Sequence, residues 1–128
     1  MAETKIKRQA LQRKYYLKEQ GGAAAVFEDL VVSTGYLGVE ATAATSLQFD
    51  ISFGVTFDAA PMVNLTFVGK NTSTSTTYPP SSGESEILVN GLAPTTTGIT
   101  AYLRRNDAGN LTNAHVYFVC WTAIGAIA

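Results

Sequence analysis

From Leu47 to Phe57 six apolar residues (Leu47, Phe49, Ile51, Phe53, Val55 and Phe57) alternate without a break with Gln48, Asp50, Ser52, Gly54 and Thr56. In a helix every second residue points around the whole cylinder, which would leave several of these large side chains in water; in a strand all six share one face. The segment therefore predicts a strand with one buried and one polar face. A single half-buried strand is not stable alone, so the rest of the chain must supply partners.

It does so in short apolar runs separated by Gly, Pro, Asn and Ser/Thr clusters, the pattern of an antiparallel β domain. Residues 58–61 read as a turn, and 62–68 return with Val63, Leu65 and Phe67 inward. Residues 85–92 and 98–105 give two further strands joined by a Thr-rich turn, and a weaker first strand covers 31–40. Residues 70–83 are rich in Thr, Ser and Pro and are expected to form an exposed loop. The last strand, 114–124, is apolar on both faces, with Val116, Phe118 and Cys120 on one and Tyr117, Val119 and Trp121 on the other. It needs cover twice. The expected arrangement is a six-stranded antiparallel β-sandwich in which Tyr117, Val119 and Trp121 meet a neighbouring copy as an oligomer interface.

The first 20 residues have a different character. Lys5, Lys7, Arg8, Arg13, Lys14 and Lys18 stand against Glu3 and Glu19, a net charge of +4, whereas the remainder sets Lys70, Arg104 and Arg105 against eight acids, a net charge of −5. Residues 3–20 lack Gly and Pro and consist mostly of helix formers, so a helix of about four turns fits. Ile6, Ala10, Leu11, Lys14 and Leu17 make only a thin apolar stripe that would not fold in isolation. The arm is thus helical or extended and needs a partner. The organisation expected is an anchoring arm over 1–22, a connector over 23–30 and the sandwich over 31–128. The six cations are candidates for docking on an acidic protein surface. Nucleic-acid binding, with Tyr15 and Tyr16 stacking, is an alternative that the acidic body weighs against.

A chain of 128 residues holds one core. Its charged fraction of 15% is low against the roughly 25% usual in soluble domains, as expected where neighbouring copies cover surface. No run of 18 apolar residues is present, so membrane insertion is not expected. A single cysteine excludes an intramolecular disulfide, and Cys120 with His115 alone cannot build a structural zinc site. No phosphate-binding Gly loop, paired-carboxylate motif or nucleophile motif occurs, so no catalytic residue, metal or cofactor is assigned and the protein is not expected to be an enzyme. His115 reads as structural, Cys120 as a buried inert thiol and Trp121 as a core or interface anchor. In the loop over 105–113, Asn106, Asp107, Asn110 and Asn113 fit turn chemistry first. The same groups can hydrogen-bond sugar hydroxyls.

Four stretches occur in an order that resembles a known family: Ser33-Thr34-Gly35-Tyr36; Phe53-Gly54-Val55-Thr56-Phe57-Asp58-Ala59-Ala60-Pro61-Met62-Val63; Thr95-Thr96-Thr97-Gly98-Ile99-Thr100; and Trp121-Thr122-Ala123-Ile124-Gly125. Together they are similar to the H-type lectin-like domain, a six-stranded β-sandwich of invertebrate agglutinins and of phage fibre and tail proteins. The resemblance implies a homo-trimer and, in lectin members, a carbohydrate site at the subunit boundary, built partly from the loop before the last strand. It places carbohydrate-binding candidates at Asn106, Asp107, Asn110 and Asn113. With the basic arm, it implies a non-enzymatic accessory structural protein of a phage virion. The arm would anchor it to a capsid or tail protein. The sandwich would then project as a decoration, head-fibre or tail-fibre knob, with adhesion to host-surface carbohydrate a subsidiary role of the loops over 105–113 and 70–83. Such a protein is made in the host cytoplasm and ends on the virion surface. A free-standing trimeric lectin and a nucleic-acid-associated protein using the arm are the alternatives.

Overall fold

The computed structural model describes residues 4–18, 26–83 and 87–128, with side chains over 30–83 and 87–128. The described residues form seven strands and no helix: β1 (Thr4–Lys18), β2 (Val26–Glu40), β3 (Ser46–Ser52), β4 (Met62–Asn71), β5 (Ile87–Gly91), β6 (Gly98–Arg105) and β7 (Val116–Ala126). One sheet has the order β1-β2-β7-β4 and the other β3-β6-β5. All paired strands are antiparallel. Strands β2 to β7 make the six-stranded sandwich that the apolar patterning predicts, and β1 extends one sheet at its edge.

The arm is extended, not helical. β1 pairs with β2 from Ile6↔Gly38 to Lys18↔Val26. A strand edge presents unpaired N–H and C=O groups, and pairing with it satisfies the arm's backbone in a way that a lone helix with a thin apolar stripe cannot rival. Tertiary pairing here overrides helix propensity. β2 also starts earlier than expected: residues 26–29, taken as connector, are already strand, although β2 meets β7 only from Leu30 onward.

The core lies between the sheets. Leu47, Phe49, Ile51, Phe53 and Phe57 are all buried, in line with the alternation from which they were assigned. The ladder of β3 ends at Ser52, yet the alternation continues because Phe53 and Phe57 keep backbone bonds to Thr97 and Thr96, at 2.9 and 2.8 Å. Gly54, with a φ of 71°, lets the chain turn between them. A bridge from Phe57 to Ile127 then carries it across to the β7 side. Val63, Leu65 and Phe67 of β4 pack against the same core. Buried Ser33 of β2 donates to the Phe53 carbonyl at 2.7 Å, tying the two sheets together.

β7 is covered on both faces, and the structure corrects what covers it. Tyr117, Val119 and Trp121 are 0–1% exposed within the chain's own core, so they cannot form an interface with another copy. The opposite face is covered at Phe118 by the loop after β4 and opens toward Ile124, which is exposed. Tyr78 sets its ring 5.7 Å from that of Phe118 and 3.9 Å, edge-on, from that of Tyr36. The expectation of a wholly exposed loop over 70–83 therefore holds for most of its hydroxyl residues and for Tyr78, still 40% exposed despite its ring contacts, and fails at Asn71. Asn71 is only 4% exposed; its Nδ2 donates to the Ser75 and Thr77 carbonyls at 2.9 Å, and its Oδ1 accepts from the Ser81 N–H at 2.9 Å. Gly69, at the β4 bulge with a φ of 152°, leaves room for the return: a Cβ there would lie 2.8 Å from the Ser82 carbonyl oxygen.

Candidate functional groove

β6 buries Ile99, Ala101 and Leu103, which forces Thr100, Tyr102 and Arg104 onto the outer face of its sheet. The register sets Tyr102 between Gln48 of β3 and Asn90 of β5, Thr100 opposite Asp50, and Arg104 between Ser46 and Leu88. The Thr100 hydroxyl donates to the Asp50 carboxylate at 2.7 Å. Where β6 runs into the following loop, Thr45, Ser46, Tyr102, Arg104, Arg105, Asn106 and Ala108 line a groove of about 430 Å3. At the other end of the same face a second groove of about 460 Å3 runs past Asp50, Leu92, Thr95, Thr97 and Thr100.

The four loop candidates separate. Asn106 lines the first groove. Asp107 is engaged within the turn: it accepts from Arg105 Nε at 3.0 Å and Nη2 at 2.8 Å, and from the Gly109 N–H at 2.9 Å. The Arg105 bond, followed by the Gly109 amide, holds this carboxyl well below the usual carboxylate range. Asn110 and Asn113 are exposed on either side of Leu111, which is buried and pins the loop to the body. The loop thus brings Asn106 to the groove and leaves Asp107, Asn110 and Asn113 out of its lining. The sequence reading missed Tyr102, which supplies the aromatic ring the loop itself lacks. The signal was available in the two-residue period of β6, which must expose Tyr102 if Ala101 and Leu103 are buried.

The remaining candidates lie elsewhere. Cys120 is half-buried, not fully enclosed as expected, and its interaction with the Tyr78 hydroxyl pushes that phenol's pKa up. His115 is half-buried too; its carbonyl accepts from the Ala41 N–H at 2.8 Å, and its Nδ1 has no hydrogen-bond partner among the described residues. The side chains of Lys5, Lys7, Arg8, Arg13, Lys14 and Lys18 lie outside the described residues, though their backbone belongs to β1. Among the described residues no cluster of His, Cys, Asp and Glu is placed to hold a metal ion, and no helix is long and apolar enough to cross a membrane.

No family model matches the sequence, and no curated protein matches it. Solved structures do resemble the fold. The C-terminal fragment of the Pseudomonas aeruginosa R1 pyocin fibre, residues 323–701, superposes with a TM-score of 0.53 at 15% identity over 92% of this chain and 28% of that one. An N-truncated R1-type pyocin tail fibre gives a TM-score of 0.55 at 16% identity over 91% of this chain and 85% of that one. The chain spans under a third of the first fragment and most of the second. At such identity the likeness defines the class of fold: an all-β sandwich similar to one found in pyocin tail fibres.

Proposed function

We propose that the protein is a non-enzymatic structural module of a phage or phage-derived particle, of the tail-fibre, head-fibre or decoration type. The observation that carries this reading is the extent of the fold likeness, which takes in more than nine-tenths of this chain against pyocin tail fibres. The H-type lectin-like pattern of motifs supports the same reading and adds a trimer of sibling copies. With Tyr117, Val119 and Trp121 enclosed in the core, contacts between copies fall to outer surfaces. Met62, 80% exposed, and Ile124, 38% exposed, are candidates because they are register partners on β4 and β7. Residues 1–22 serve as the anchor on a capsid or tail protein through the six arm cations, and the sandwich faces outward on the virion surface, where it meets host carbohydrate. The groove beside Tyr102 keeps a second reading in play, a free-standing trimeric lectin.

Replacing Lys5, Lys7, Arg8, Arg13, Lys14 and Lys18 together by Gln in the full chain separates the two. Under the anchoring reading the variant keeps its β-rich circular dichroism spectrum and disappears from particles purified on a density gradient. Undiminished incorporation would defeat the anchor.

A further inference from the structure

We infer that the outer face of the β3-β6-β5 sheet is a binding track for an extended saccharide chain bearing carboxylates, with Tyr102 and Arg104 as its central contacts. The inference rests on the attachment reading and names the chemistry that such a module would recognise.

Four observations converge on it. The two grooves lie at opposite ends of one face, bounded by Thr97 and Gly98 at one end and by Arg104 and Asn106 at the other. Gly98 and Arg104 stand six steps apart along β6, a run of about 20 Å at roughly 3.4 Å per residue, which suits a chain of sugars better than a single ring. Gln48 and Asn90 flank Tyr102 on the neighbouring strands, while Thr100, bonded to Asp50, lines the second groove. Amides both donate and accept, as sugar hydroxyls do, and an aromatic ring offers an apolar surface to the C–H face of a pyranose.

Charge selects the kind of saccharide. The body is acidic after residue 20, yet two of its three cations, Arg104 and Arg105, are adjacent and both line the first groove. Arg105 is engaged by Asp107. Arg104 is exposed and makes no ion pair among the described residues. A guanidinium in this position matches the planar, two-oxygen geometry of a carboxylate. Neutral glycans would use the ring and the amides and leave this group without a partner.

The test uses the full chain and titration calorimetry with a hexamer of galacturonic acid, its fully methyl-esterified form and a single-stranded oligonucleotide of equal charge. The expected result is binding of the free acid at least tenfold tighter than of the ester. Arg104→Gln should remove that preference without changing affinity for the ester. Tyr102→Ala should weaken both saccharides at least tenfold, while Tyr102→Phe leaves both near the original value. Thermal unfolding of each variant within a few degrees of the parent would show the sandwich intact, as expected for outward-facing positions. Absence of hexamer binding, equal affinity for acid and ester, or equal Arg104-dependent binding of the oligonucleotide would overturn the assignment. Failure here with particle incorporation intact strikes the saccharide track alone; binding here by a protein absent from particles strikes the attachment reading instead.

Discussion

At the scale of single residues, the sequence was most legible where an apolar side chain had one destination. Phe49, Phe53 and Phe57 had to share one buried side, and they do, although the strand itself ends at Ser52. Polar residues were less legible because their partners are decided by the fold. Asp107 fits turn chemistry first and a sugar contact second on sequence alone, and its bonds to Arg105 and the Gly109 amide are those of a turn residue. A testable consequence concerns pH. The folded carboxyl titrates below its unfolded value, so its contribution to the loop is present above the ordinary carboxylate range and is lost as pH falls through the lower folded value. In an NMR titration of the Asp107 side-chain carboxyl, the midpoint should lie well below about 3.9, and Arg105→Gln should raise it toward that value. An Asp107 midpoint insensitive to Arg105→Gln would show that the ion pair is not formed in solution.

At the scale of elements, the two faces of β7 teach the clearest lesson. Double apolarity correctly demanded two covers, but the second was sought in another copy because the loop over 70–83 looks like linker. What hides in that composition is one buried amide and one ring. Asn71 draws the loop back on itself through three hydrogen bonds, and Tyr78 then reaches Phe118. Neither role follows from local sequence, since the partners of Asn71 are backbone atoms whose position only the folded loop defines. Asn71→Ala should cost about 1–3 kcal/mol in denaturant unfolding and speed amide exchange across 72–82. Exchange rates equal to those of the parent would show that Asn71 does not hold the cover. The arm errs in the opposite direction: its residues prefer helix, and an open β2 edge outweighs that preference.

At the scale of the whole molecule, a sandwich with a complete core of its own leaves two resources for interaction. One is the basic strand at the edge of the larger sheet; the other is the outer face of the smaller sheet, where β6 aligns Thr100, Tyr102 and Arg104. The fold class could be read from patterning alone. The groove could not, because it joins residues 45–46 to residues 102–108 through strand pairing that no local motif announces. The account's central claim is that this body stands on a particle and does not act alone. Cryo-electron microscopy of particles purified from cells that express the protein tests it most directly. The prediction is three-fold knobs, each lobe the size of one sandwich, at a fixed capsid or tail position, with the basic strand at the attachment point. Particles without such density, alongside all of the protein recovered as free chains in the lysate, would contradict it.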